Sequence, residues 1–198
     1  MVGVLCFGLG IGLMARSDLG LGPWSVLHQG IGRQVGLELG TVDLLLSFPI
    51  LVAFVPLGVR PGLGTFLTAL LIGPATNVSQ AAFPAPTDLP AQLVQMVAGC
   101  VAVGFGSALY LTARMGPGPR DGIMTGLHWR LDWRIGVVRT ALESSVLVVG
   151  WLFGGTVGIG TVLYALLIGP VVEAALRVLD HEGTILRDRR LAAARRNP

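Results

Sequence analysis

The amino-acid sequence predicts an all-α, polytopic membrane protein with about six transmembrane helices. They form two inverted three-span repeats, each with a short interrupted or re-entrant helix. Three observations carry this reading. The 198-residue chain is 53% apolar and only 13% charged, with mean hydropathy +0.73; soluble domains carry about 25% charged residues, so this chain cannot coat an ordinary wetted surface. Apolar runs recur at span length. The second half repeats the first at a fixed offset of 96 residues. The composition also excludes disorder, which needs low hydrophobicity and high charge, and collagen, because the 29 glycines follow no triplet period.

The first apolar run covers residues 1–15. Taken as Val2 to Ala15 it spans about 21 Å against a hydrocarbon core of roughly 30 Å, so the start of the chain is expected to omit residues of this span. It has no positive n-region and no AxA-like site, and a cleaved signal peptide is not expected. Residues 23–35 are half-polar, open with Pro23 after Gly22, and are too short to cross. Runs 40–58 and 64–83 give the second and third spans. The Gly-rich stretch between them, Gly58 to Gly64, lacks the GK[ST] ending of a phosphate loop and reads as a tight hairpin. Residues 1–83 are the first repeat, and the Pro-rich residues 84–90 link it to the second, residues 91–180. There the spans are 91–113, 137–155 and 159–179, with a half-polar segment at 119–131 opening on Gly118 and Pro119 and a hairpin at Gly154 to Gly160. Residues 181–198 form an Arg-rich tail.

All 14 basic residues are Arg, and five lie in the last twelve residues, so the basicity marks topology and not a nucleic-acid surface. With the tail in the cytoplasm and six spans, the N-terminus is cytoplasmic as well. Arg60, Arg114, Arg120, Arg130 and Arg134 then fall inside, and Arg16 and Arg33 outside. The expected location is the bacterial cytoplasmic (inner) membrane. Five spans result if the short first run does not insert. Cys6 and Cys100 sit in apolar runs at no metal or redox spacing and read as inert packing residues. Trp24, Trp129, Trp133 and Trp151 read as an interfacial belt.

The repeat runs without a gap from residue 20 to 74, and about 20 of the 55 aligned positions are identical, many of them Gly or Pro. Gly20, Gly22 and Pro23 match Gly116, Gly118 and Pro119, and Ala69-Leu-Leu-Ile-Gly-Pro74 recurs letter for letter as Ala165-Leu-Leu-Ile-Gly-Pro170. Chance similarity between apolar segments would match Leu and Val instead. Each unit reads as span, short helix, span, span. Three spans are odd, so the second copy enters from the opposite face, the inverted plan of many secondary transporters, whose sites lie at the repeat interface beside broken helices.

Gly116-Pro-Gly-Pro-Arg-Asp-Gly122, followed by Arg139, Glu143, the run Gly154 to Thr161 and Ile168-Gly-Pro170, resembles the YczE/YitT-type family of bacterial integral membrane proteins. Leu19-Gly-Leu-Gly-Pro-Trp24 and Arg60-Pro-Gly-Leu-Gly-Thr65 in the first half are similar to it too. The resemblance covers nearly the whole chain, with the short N-terminus as its departure. It implies a multi-spanning membrane protein and supplies neither substrate nor catalytic residues.

Candidate site residues each carry two readings. Arg120 and Asp121 follow Pro119 at the start of a short helix, where free amides and a guanidinium would favour an anion; alternatively Asp121 caps its helix and Arg120 anchors at the headgroups. Arg139 and Glu143 are spaced i, i+4 and can pair. Glu143, about two turns inside the span, could relay protons, bind a cation or partner Arg120; Arg139 reads as structural. Glu173 and its repeat mate Asn77 each follow an Ile-Gly-Pro break by three residues and form either a coordination site on the two-fold axis or an interhelical hydrogen bond. Asp43, the mate of Arg139, is expected to be exposed near the outer end of the second span. His28, His128 and His181 are scattered with no HExxH pattern, so no metal is expected. Neither is a cofactor. Ser25 and Ser47 lack a GxSxG context.

The functional reading is a small-solute transporter or permease, for an anionic or zwitterionic solute, with its site at the repeat interface; a homodimer would help six short spans enclose a path. The alternative is a non-transporting accessory or scaffold protein that modulates a partner enzyme or export system. No enzyme activity and no nucleic-acid partner are expected.

Overall fold

Glycine and proline decide where the helices of this chain start and stop. The computed structural model describes residues 1–113 and 115–179. Among them are eight α-helices and no strand: α1 (Val2–Ser17), α2 (Pro23–Val35), α3 (Leu39–Leu57), α4 (Leu63–Ala82), α5 (Leu89–Thr112), α6 (Pro119–Leu131), α7 (Ile135–Leu152) and α8 (Ile159–Leu179). The Arg-rich tail lies outside the described residues. The two half-polar segments are the short helices α2 and α6. Each starts on an extended glycine, Gly22 (φ −65°, ψ 157°) and Gly118 (φ −61°, ψ 161°), followed by Pro at the first helical position, where the missing N–H would have had no partner. Inside the Pro-rich linker Asp88 caps α5, its carboxylate accepting from Ala91 N at 3.1 Å. Pro74 and Pro170 do not end their helices: α4 and α8 run through them.

Three helices, α3, α5 and α8, are long and apolar enough to cross a bilayer, and α1 is apolar but shorter. Of the other two expected spans, α4 is interrupted by Thr65, Thr68, Thr76, Asn77 and Ser79, and α7 by Arg139, Glu143, Ser144 and Ser145. The surface is inverted relative to a soluble protein. Val55, Val52, Leu166 and Val178 are exposed while Thr65, Thr76, Ser79, Asp43 and His28 are buried. Apolar area of this kind needs a non-aqueous cover.

The core forms where α1 packs against α5 and α4. α1 and α5 run antiparallel, since Gly3 meets Gly106 while Gly10 meets Gly99. A methyl at Gly10 would stand 2.6 Å from the Gly99 carbonyl oxygen, so these backbones are in direct contact. Thr76 Oγ1 donates to the Gly8 carbonyl at 3.1 Å and Ser79 Oγ to the Leu9 carbonyl at 2.8 Å, tying α4 to the same helix. Cys100 packs buried with its Sγ 3.6 Å from Met14 Sδ.

Contacts recur in pairs related by the 96-residue offset. Gly3 with Gly106 becomes Gly99 with Gly10. Gly64 N donates to Met115 O at 2.7 Å, and its mate Gly160 N donates to Leu19 O at 2.7 Å. Here Gly116 (φ 109°) and Gly20 (φ 117°) take the positive φ that lets each loop clasp the other half. Likewise α2 packs on α7 as α6 packs on α3.

One pair breaks this rule. In the first half α3 and α4 are in backbone contact, the Gly40 and Gly73 carbonyls each lying where a methyl on the other glycine would go. Their mates α7 and α8 do not form a packed pair, and nothing lies within 4 Å of a methyl built on Gly136 or Gly169.

Candidate functional site: a charged cavity between the halves

The recurring contacts enclose a cavity of about 410 Å³ where the two halves meet. It is walled on one side by the closed pair α3 and α4 and on the other by the separated pair α7 and α8. Mate positions line it together: Trp24 and Arg120, His28 and Met124, Asp43 and Arg139, Ser47 and Glu143, Thr68 and Tyr164, Ile72 and Ile168. Outside the cavity the two copies share glycines that set helix spacing. Inside it all of these pairs but the last differ in chemistry, so the site is a specialised one on a symmetric frame.

Asp43 on α3 is its centre. It is buried, 5% exposed, which corrects the expectation of an exposed interfacial acid. Two elements reach it: Arg120 Nη2, from the first turn of α6, forms an ion pair with Oδ1, and His28 Nδ1, from α2, lies 3.0 Å from the same oxygen. The guanidinium carbon of Arg120 sits 5.6 Å from the Trp24 ring centroid, so the cation rests on an aromatic face as well. Trp24 is therefore a cavity wall, not part of an interfacial belt, whereas Trp129, Trp133 and Trp151 are exposed. A buried charge is tolerated only when paired, and this pair joins residues 77 positions apart in the two halves.

Asp121, one position beyond Arg120 in the first turn of α6, accepts a hydrogen bond from Tyr110 Oη at 2.8 Å. Its charge lies at the positive end of the helix. Gly118 and Pro119 line the cavity and hold that helix end against it, whereas Gly22 and Pro23 at the start of α2 line a separate small cleft with Trp24, Arg120 and Glu143. Arg139 Nε donates to Glu143 Oε1 at 3.0 Å, and both line the α7 side. His28 is 1% exposed, and among the described residues neither of its ring nitrogens has a well-formed hydrogen bond.

Arg120, Asp121, Arg139 and Glu143 thus share one cavity; Asn77 and Glu173 do not line it. Asn77 is engaged with α3: its Oδ1 accepts from Gly40 N at 2.8 Å and its Nδ2 donates to Thr41 Oγ1 at 3.0 Å. Glu173 accepts from Arg177 Nη2 at 2.7 Å on an exposed face of α8. With the Asn77 amide bonded to α3 and Glu173 on an exposed face of α8, the two mates make no common coordination site here. Sequence reasoning read Asp43 as an exposed interfacial acid and His28 as a scattered histidine outside any metal site, and it did not single out Tyr110 or Tyr164. An acid four residues into an apolar run was the available signal for Asp43, since intramembrane charges mark function by default. No metal-ligand cluster is present among the described residues.

Comparison with known proteins adds the family. A family described as "Family of unknown function (DUF6198)" matches residues 1–177. An uncharacterized protein of Haemophilus influenzae is 42% identical over 172 residues, 87% of this chain and 79% of the relative. The uncharacterized membrane protein YczE of Bacillus subtilis is 29% identical over 175 residues, covering 87% and 80%. YyaS of Bacillus subtilis, also uncharacterized, is 27% identical over 183 residues, covering 90% and 91%. No solved structure matches significantly.

Proposed function

Because the chain belongs to the family of unknown function DUF6198 and is a YczE-type membrane protein, we propose that it carries a small solute across a bacterial cytoplasmic membrane by alternating exposure of the central cavity. In this reading α1, α3, α4, α5, α7 and α8 cross the bilayer as two inverted three-span repeats. Helices α2 and α6 are re-entrant, and the Arg-rich C-terminus is cytoplasmic by the positive-inside rule. The antiparallel packing of the mates α1 and α5 supports the inversion. We take the protein for a carrier and not an enzyme.

The observation that carries the proposal is the unequal closure of the mate pairs. Two inverted repeats of one architecture can exchange conformations, which turns a cavity open on one side into one open on the other. In the exchanged state α7 closes on α8 through Gly136 and Gly169, as α3 now closes on α4 through Gly40 and Gly73. Glu173 would then accept from Gly136 N as Asn77 accepts from Gly40 N.

Disulfide trapping tests this with Cys6 and Cys100 replaced by Ala. The Thr41 and Asn77 side chains touch at 3.0 Å, so Thr41→Cys with Asn77→Cys should cross-link in the present state. Val137→Cys with Glu173→Cys, at the mate positions, should cross-link in the exchanged one. A carrier gives both bonds, and each blocks flux in liposomes. An accessory protein with a fixed frame gives only the first. The uncovered faces of α8, with Val162 and Leu166 exposed, favour that second reading, in which a partner's helix seats between α7 and α8.

A further inference from the structure

We propose that the solute is an organic cation, a protonated amine on an apolar body; this rests on the reading of the central cavity as a solute site. The charges facing the cavity are unequal. Asp43, Asp121 and Glu143 supply three carboxylates, while Arg120 and Arg139 supply two guanidiniums. Arg120 is bound to Asp43 and Arg139 to Glu143. That leaves Asp121, which among the described residues receives one neutral hydrogen bond, from Tyr110, and no guanidinium. An incoming anion would meet one guanidinium held in a buried pair, one in a half-exposed pair, and a carboxylate that among the described residues receives no guanidinium. An ammonium would meet the carboxylate.

His28 points the same way independently. Its Nδ1 lies 3.0 Å from the Asp43 carboxylate oxygen, and among the described residues neither ring nitrogen makes a well-formed hydrogen bond. In the neutral ring one of these nitrogens is a lone-pair acceptor and the other a donor. Both nitrogens are buried without a hydrogen-bond partner among the described residues, and His28 is one of the residues lining the cavity. A buried acceptor left unmade is costly, and it calls for a donor, which an ammonium N–H is and a carboxylate or phosphate oxygen is not. The remaining walls suit the rest of such a molecule. Tyr110 and Tyr164 supply aromatic side chains to the lining, and Ile72 and Ile168 supply apolar ones. The volume, about 410 Å³, is that of a pocket for one small organic molecule.

The test uses the purified full chain in detergent and three probes that share a phenylethyl body: phenethylammonium, the neutral 2-phenylethanol and the anion 3-phenylpropionate. Thermal unfolding should shift upward, saturably, with phenethylammonium alone. Asp121→Asn should weaken that binding at least tenfold. Tyr110→Phe, which frees the carboxylate and leaves its charge, should hold or tighten the binding and keeps the test informative if Asp121→Asn does not fold. A shift with 3-phenylpropionate and none with phenethylammonium overturns the proposal, as does an equal shift with the alcohol or no shift with any probe. The disulfide traps need no ligand, so the two readings fail separately. Both bonds without amine binding sinks the solute class and keeps the carrier. Amine binding without the exchanged bond keeps the class and sinks the carrier.

Discussion

Removing Asp43 tests the site's electrostatics most directly. The Asp43 side chain is 6% exposed and that of Arg120 23%, and they pair across the two halves with His28 on the same oxygen. Asp43→Ala strands the guanidinium in a wall where, among the described residues, no other acid is bound to it. Breaking a buried pair by removing one partner costs about 3–5 kcal/mol. The partial exposure of Arg120 puts the expected loss at the lower end, about 3 kcal/mol, more than a hundredfold in the folding equilibrium. Arg120→Ala should cost somewhat less, because Asp43 keeps His28 3.0 Å from its carboxylate. The double variant has no unpaired charge left, so its loss should fall short of the sum by about 2 kcal/mol. Arg139 and Glu143 serve as the comparison: their side chains are 55% and 38% exposed, and the coupling expected is about 0.3–0.5 kcal/mol. The assay is equilibrium unfolding in mixed micelles with increasing SDS, followed by tryptophan fluorescence. A loss below about 1 kcal/mol for Asp43→Ala, or additive single and double variants, would refute the argument that this ion pair is buried and joins the halves.

The unequal mates give further expected outcomes. Gly73→Ala forces a methyl onto the Gly40 carbonyl and should cost about 1–3 kcal/mol, whereas Gly169→Ala, with nothing within 4 Å, should stay within about 0.5 kcal/mol of wild type in the same unfolding assay. Gly10→Ala, which meets the Gly99 carbonyl at 2.6 Å, should cost about as much as Gly73→Ala. Asn77→Ala gives up two hydrogen bonds to α3 and should destabilise by about 1–3 kcal/mol, while Glu173→Ala gives up one exposed ion pair and should cost less than about 1 kcal/mol. Equal losses at Asn77 and Glu173 would contradict the separation of α7 from α8.

Much of this architecture is legible along the chain. The Gly22-Pro23 and Gly118-Pro119 starts announce α2 and α6, because Pro at a first helical position and Gly before it are local requirements of the backbone. The glycines shared at the 96-residue offset announce a common frame for the same reason: each marks a close approach or a positive φ. The site is less legible. Arg120, Asp121, Arg139 and Glu143 stand out as charges near or within spans and do share the cavity, but their partners are not local. Asp43 looks like an interfacial acid until Arg120 and His28 arrive from α6 and α2. Asn77 and Glu173 are equivalent in sequence and differ in the fold, one bonded to α3 and the other facing outward.

Composition and periodicity by themselves determined the membrane class, the helical segments and the internal repeat. Those properties follow from what each short stretch of backbone and side chain prefers in water or lipid. The burial of Asp43, its pairing with Arg120, the acceptor left on His28 and the open gap between α7 and α8 were decided only by the tertiary structure. They depend on how helices far apart in the chain cross, and two repeats with the same local preferences can satisfy them in unequal ways.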